Sequence, residues 1–268
     1  MWVTCGCVAV VDWVFISPHL DDVALSCGGA VAKAARSGSP LIVTVFAGKP
    51  GKDISEFARF QHQRWQLGDD NAVDLRRDED RQAAERLGSS VRVHWMEYPD
   101  AIYRDPDYSS DEALFGEPLE CDIALAVDVH KELRGLDANR YVVPLGVGNH
   151  VDHHVVLRAG AMLLREGADV WGYAEVPYAL DDKQIAAALL DINVHDPVVI
   201  WLDDDALARK CDAVRCYESQ LPVLFRERGD ACEELKALAL HQGAGEPAEL
   251  VWRLRQDDPL LRRRPFVA

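Results

Sequence analysis

The sequence predicts an α/β protein: a mainly parallel sheet with helices on both faces, in three layers. Three observations predict it. Short runs at 11–16, 41–46, 91–95, 141–145 and 170–174 read as strands, those at 11–16 and 41–46 apolar throughout or nearly so and the second enriched in β-branched residues as buried strands are. Segments with helical spacing separate them, so strand and helix alternate through the first five strands. Clusters of His and Asp follow the first and fourth runs, where open α/β sheets place ligand sites outside the carboxyl ends of their strands.

Taken in order, 11–16 is the first strand. Residues 28–37 are small and helical and end near Gly38. The apolar run 41–46 is the second strand, and Gly48, Pro50 and Gly51 make the loop after it. A helix covers 57–67. Asp69, Asp70 and Asn71 can cap the next one, 72–87, which stops at Gly88. The third strand is 91–95. Residues 99–118 are acidic, aromatic and turn-rich, which predicts a long loop near a ligand site. An amphipathic helix over 121–136 has Ile123, Val127 and Leu133 near one face. Strand 141–145, loop 146–149, helix 153–167 and strand 170–174 complete the alternating part. Beyond it the pattern predicts helix 181–190, strand 198–201, helices 203–220 and 230–241, and an edge strand over 249–254. No internal repeat interrupts this order. The expectation is one domain over 1–268, with a core at about 11–220 and a C-terminal elaboration over 221–268.

Composition narrows the function. The formal charge is −16 and hydrophobic residues make up 49%. So acidic a chain is a poor match for phosphate-backbone binding, which needs clustered Lys and Arg, and no nucleic-acid partner is expected. The one basic cluster, Arg262-Arg263-Arg264, reads as a solvated tail. The seven cysteines are odd in number and scattered, without a C-x-x-C pair, which argues against a disulfide framework or a thiolate zinc module. Cys5 and Cys7 read as small residues of the N-terminus. The usage suits a reducing cytoplasm. The first sixteen residues are apolar, but Asp12 interrupts them and a basic start and cleavage site are missing, so they read as a strand rather than a signal peptide. No run reaches transmembrane length. A homo-oligomer is left open.

The two clusters carry the chemistry. In Ser17-Pro18-His19-Leu20-Asp21-Asp22, His19 and Asp22 are close enough to reach one ion, and His153 of His150-Val151-Asp152-His153 can close the set, with His154 as its alternative. Two imidazoles and a carboxylate form a common catalytic zinc shell, and the same donors suit Fe2+, Mn2+ or Ni2+. Asp21 can take a proton from water as general base. His150 can stabilise an oxyanion or protonate a leaving amine, and Asp152 can orient it. These parts describe hydrolysis of an amide or ester. Each has a plainer use: Asp21 and Asp22 can cap the helix region near Gly28, and Asp152 the helix from His153. The coincidence of complementary ligands at two strand ends favours the metal site. Gly28-Gly29 lacks both the dinucleotide and phosphate-loop patterns, Ser17 and Ser26 lack a nucleophile elbow, and His62, His94, His130, His195 and His241 stand without partners at ligand spacing.

On these motifs the chain resembles the LmbE-like, or PIG-L-like, de-N-acetylases. Residues 17–22 with Gly28-Gly29 are similar to that family's first signature and residues 150–153 to its second. Arg76-Arg77-Asp78-Glu79 with Ala83 and Leu87-Gly88, Tyr98-Pro99-Asp100-Ala101 and Tyr217-Glu218-Ser219-Gln220 resemble supporting segments, so the likeness runs from about 14 to about 220. The resemblance implies a Rossmann-like fold and zinc-dependent removal of an acetyl group from an N-acetylated amino sugar. It implies His19, Asp22 and His153 as metal ligands, Asp21 as general base, His150 paired with Asp152 as electrostatic or acid partner, and Arg76 where substrate is held. Leu20 and Val23 depart from the commonest form of the first signature. The Leu20 form is similar to the branch found in natural-product pathways of actinobacteria. Where some members carry a tyrosine oxyanion donor, this chain has Gly148. The implied substrate is a small-molecule N-acetylated conjugate. The alternatives are a hydrolase of another amide, ester or carbamate, and a non-catalytic ligand-binding relative.

Overall fold

The computed structural model describes residues 11–256. Cys5, Cys7 and Arg262-Arg263-Arg264 lie outside the described residues. In chain order the strands and helices are β1 Val11–Ser17, α1 Asp22–Ala34, β2 Leu41–Thr44, α2 Glu56–Arg64, α3 Ala72–Leu87, β3 Arg92–Trp95, α4 Ala101–Arg104, α5 Asp111–Leu114, α6 Glu120–Arg134, β4 Ala138–Pro144, α7 Val151–Arg165, β5 Asp169–Tyr173, α8 Asp182–Asp191, β6 Val198–Trp201, α9 Asp204–Val214, α10 Leu221–Leu224, α11 Ala231–Gln242 and β7 Ala248–Arg253. A short 3-10 turn, Tyr178–Leu180, lies between β5 and α8.

The strands run in the order β3-β2-β1-β4-β5-β7-β6. β1 to β5 are parallel, and β7 is antiparallel to both of its neighbours. Alternating side chains separate the layers. Phe15, Ile42 and Val142, in register across β1, β2 and β4, pack with Val31, Leu87 and Ala213 of α1, α3 and α9. Val14, Ile16, Val43 and Val143 face the other way, onto Val129 and Leu133 of α6 and Val155 of α7. β1 feeds β2 and β3 on one side while β4 returns on its other side. The strand order therefore reverses between β1 and β4, and a crevice opens at their carboxyl ends.

Several local expectations are corrected. The first helix starts at Asp22, six residues early, and is broken at Cys27 (φ −136°, ψ 27°). At the break the N–H groups of Gly29 and Ala30 donate to the Glu249 carboxylate at 3.0 and 2.7 Å, and Lys210 Nζ donates to it at 2.6 Å. A buried carboxylate from β7 thus caps the second half of α1, a contact the local sequence cannot announce. β7 reads as an edge strand but lies between β5 and β6, with both faces covered; the edges are β3 and β6. The buried face of α6 is Asp122, Ala126, Val129 and Leu133, and Val127 is exposed. Its period was misplaced because a buried, ion-paired aspartate occupies a core position. The long helix over 203–220 ends at Val214, and the 99–118 loop contains the single turns α4 and α5.

Candidate active site

The loops after β1, β3, β4 and β5 meet over the crevice. Ser17 ties the first of them: its Oγ donates to His19 O at 2.6 Å and accepts from Val23 N at 3.1 Å. The His19 N–H donates to Asp22 Oδ2 at 2.8 Å, which turns the Asp22 carboxylate back from the first turn of α1. Asp22 Oδ2 stands 3.4 Å from His19 Nδ1 and 3.5 Å from His153 Nε2, the latter on the first turn of α7.

Both imidazoles are oriented from behind by a buried carboxylate. His153 Nδ1 lies 3.1 Å from Glu175 Oε1. Glu175 follows β5, is fully buried and accepts from the N–H groups of Leu145, Gly146 and Val147 at 3.2, 2.7 and 3.1 Å. His19 Nε2 lies 3.0 Å from Asp152 Oδ2. A ring nitrogen facing an acceptor carries the proton, so the lone pairs are on His19 Nδ1 and His153 Nε2, both turned toward Asp22.

The expected pairing of the Asp152 carboxylate with His150 is not what forms. Asp152 leaves α7 toward β1: Oδ2 also accepts from Ala101 N at 3.0 Å, and Oδ1 accepts from Arg104 Nη2 at 2.7 Å. His150, at the N-cap of α7, folds back so that its Nδ1 accepts the Asp152 backbone N–H at 3.2 Å. That leaves the His150 proton on Nε2.

Two groups have donor atoms lying mutually within 4.8 Å: His19, His150 and His153, and His19, Asp100 and Asp152. Lone-pair accounting separates them from the Asp22 set. His150 offers an N–H, and His19 Nε2, 3.6 Å from Asp100, is already a donor to Asp152. His19 Nδ1, Asp22 Oδ2 and His153 Nε2 are all acceptors. Each imidazole acceptor, 3.4 or 3.5 Å from the Asp22 acceptor, repels it unless a proton or a cation lies between them, so the donor set fits a divalent metal ion. In the metal-free chain protons take that place. Burial lowers the His19 pKa, yet Asp100, Asp152 and Asp22 outweigh it and raise the pKa well above the ordinary value. Burial likewise opposes charge on His153, and Asp22 and Glu175 overcome it. Burial pushes the Asp22 carboxyl up, but His153 and His19 bring it below the usual range.

Asp21 points to the same cavity, which has a volume of about 300 Å³. Burial and neighbouring Asp22 push its carboxyl up to about 7, against the pull of Arg76 and His19. Arg76, from α3, brings Nη2 to 4.0 Å from Asp21 Oδ1 and lies 4.7 Å over the Trp65 ring, with its buried Nε unpartnered. Tyr217 donates to Asp80 at 2.9 Å, and the Ser219 N–H and hydroxyl donate to Glu79 at 2.8 and 2.6 Å. These bonds clamp 217–220 onto α3 and bring Gln220 to the cavity wall. His150 sits 4.8 Å from His19, ring to ring, and burial and His19 hold its pKa well below normal. His154 turns away: Nε2 bonds Asn149 Oδ1 at 2.7 Å, and the ring lines a neighbouring cavity of about 380 Å³ with Arg158.

The sequence names Asp100 only within a supporting segment and singles out neither Glu175, Arg104 nor Tyr178. Glu175 had a signal, a carboxylate directly after an apolar parallel strand. Arg104 had none, because its partners Asp122 and Asp152 are distant in sequence.

The profile of the family described as "PIG-L: GlcNAc-PI de-N-acetylase" matches residues 14–164. A 2'-N-acetylparomamine deacetylase of Niallia circulans is 34% identical over 266 aligned residues, covering 90% of each chain. A teicoplanin-pathway deacetylase solved as a bog complex is 28% identical with a TM-score of 0.81, over 92% of this chain and 99% of that one. The zinc-inhibited form of teicoplanin deacetylase Orf2 is 25% identical with a TM-score of 0.80, over the same shares.

Proposed function

The chain belongs to the GlcNAc-PI de-N-acetylase (PIG-L) family, and from that premise we propose that it hydrolyses the acetamide of an N-acetylated amino sugar carried by a natural-product intermediate, with His19, Asp22 and His153 holding zinc. The relatives named for 2'-N-acetylparomamine and teicoplanin support that substrate class. One observation carries the reading: two imidazole lone pairs, each set by a buried carboxylate, converge on Asp22 Oδ2, with Asp21 beside them in the same cavity.

Zinc, when bound, supplies a Lewis acid that makes water more acidic and polarises a carbonyl oxygen. Asp21 takes the proton of the attacking water. Its buried, Asp22-flanked carboxylate is a better base than an exposed aspartate, and Arg76 limits that rise. His150 is a neutral donor: with Nδ1 occupied by the Asp152 N–H, its Nε2–H is free to meet negative charge on the acetyl oxygen. A neutral imidazole is too weak an acid to protonate the amine, so Asp21 returns its proton to the departing nitrogen. Asp152 acts on His19 rather than on His150. Trp65 and Phe115 line the cavity and offer apolar contact for a sugar ring.

The test is acetate release and loss of one acetyl mass from 2'-N-acetylparomamine and from an N-acetylglucosaminyl glycopeptide, using metal-loaded protein. Turnover that is abolished by chelation, restored by zinc and lost in Asp21→Asn supports the reading. Full activity of Asp21→Asn, or activity surviving rigorous chelation, refutes it. Among the described residues no helix is long and apolar enough to cross a membrane.

A further inference from the structure

The loop after β5 carries a second group that faces the cavity. It is pinned on both sides of residue 178: the Val176 N–H donates to Ser26 Oγ at 3.1 Å, and the Ala179 N–H to Glu175 O at 2.8 Å. The half-buried Tyr178 ring stands edge-on to Phe115 at 5.8 Å and to His153 at 6.5 Å. Its root lies on Gly148. A Cβ added there would collide with Tyr178 Cγ and both Cδ atoms, and the φ of +88° independently favours glycine. The volume that a side chain at 148 would occupy is therefore filled by Tyr178, arriving from a different strand end.

Tyr178 lines the cavity together with Asp21, Asp22, His150 and His153. Its neighbours Tyr173 and Tyr217 donate to Ile16 O and Asp80, whereas the Tyr178 hydroxyl makes no hydrogen bond to the protein among the described residues. A phenol is protonated at neutral pH and is a strong donor. Lining the cavity with Asp21, Asp22, His150 and His153 and without a partner, it is a donor for a ligand atom. Phe115 packs against both Tyr178 and His150, at 5.8 and 5.3 Å, so one ring fixes the two donors relative to each other.

We propose that Tyr178 is a catalytic hydrogen-bond donor whose Oη–H, with His150 Nε2–H, meets the acetyl oxygen as it becomes negative, in space that Gly148 leaves open. The proposal rests on the deacetylase reading above. The water oxygen bonds to the acetyl carbon, one water proton passes to Asp21, and the carbonyl π pair moves onto its oxygen, where the two donors receive it. That pair then re-forms the C=O bond as the C–N bond breaks. The C–N pair leaves on nitrogen, which takes the proton from Asp21. Acetic acid, which ionises, and the free amine remain.

Tyr178→Phe keeps the ring and its packing and removes the donor. With zinc-loaded protein and 2'-N-acetylparomamine, kcat falls about 100- to 1000-fold, as for loss of one oxyanion donor, with KM changed little. Bound zinc and the melting midpoint stay at wild-type values. A methylphosphonamidate of the same amine, tetrahedral where the acetamide is flat, loses affinity in the variant by a comparable factor, which a packing role does not produce. A variant kcat within about twofold of wild type, or a loss of kcat that tracks loss of zinc, overturns the proposal while leaving the deacetylase reading in place. Wild-type protein that releases no acetate from any N-acetylated amino sugar overturns both.

Discussion

Arg104→Met tests the polar chain behind His19. The Arg104 guanidinium bonds Asp152 at 2.7 Å, Asp122 at 2.8 Å and Pro99 O at 3.0 Å, and both carboxylates are fully buried. Tyr108 also donates to Asp122, so the chain runs from the 99–118 loop through Asp122, Arg104 and Asp152 to His19. Methionine fills much of the volume but leaves two buried carboxylates facing each other across an apolar side chain. Removing one partner of a buried pair costs about 3–5 kcal/mol. At ~2–4 °C per kcal/mol for a chain of this size, the melting midpoint of the metal-free protein falls by roughly 6–20 °C. Asp152 also loses the contact that aims it at His19, and loss of such an outer partner weakens metal binding about 10- to 100-fold. Scanning calorimetry reads the first quantity, and zinc competition against a chromophoric chelator reads the second. Adding Asp152→Asn removes one stranded charge, so the double variant is more stable than the sum of the single losses requires. A loss under about 1 kcal/mol with unchanged zinc affinity would refute this account, since it would mean that water already screens the pair.

Three further outcomes follow from the geometry. His153→Ala loses stoichiometric zinc by mass spectrometry of the metal while His154→Ala retains it, because the His154 ring is turned to Asn149; equal losses would contradict the assignment. In the metal-free chain the Asp21 carboxyl is held at about 7, above its unfolded value, so the folded state keeps a proton that the unfolded state releases. The stability that Asp21 contributes therefore declines as pH rises from about 4 to 7; Asp21→Asn lacks that contribution, so its stability falls less over this range than that of the wild type, and parallel stability curves would sink the idea. Lys210→Met strands the Glu249 carboxylate beneath the break in α1 and costs about 3–5 kcal/mol, of which Lys210→Met with Glu249→Gln recovers part; an unchanged denaturant midpoint would show that the pair is not coupled.

Local sequence carried the alternating part of the fold well, because its signals are short-range. The β-branched runs after Val11, Leu41 and Ala138 become parallel strands wherever both faces are covered. Misreadings fall where a polar group is buried against a distant partner. Asp122 displaced the apparent face of α6 because its partner Arg104 lies in another segment. β7 reads as an edge strand because Glu249 looks solvated until Lys210 and the open N–H groups of α1 are placed around it.

By itself the sequence determined the layer order, the two His/Asp clusters and their position at strand ends, since hydrophobic period and chain order suffice for these. It also brought His19, Asp21, Asp22, His150 and His153 forward as a set. Folding alone sets which nitrogen of each imidazole keeps its proton, because that depends on Glu175 and Asp152 arriving from other strand ends. For the same reason it decided that Asp152 serves His19, that His154 faces elsewhere, and that the space above Gly148 belongs to Tyr178. Ligand identity is a property of residue type and spacing, whereas the direction of a lone pair or an O–H is a property of contacts made across the whole chain.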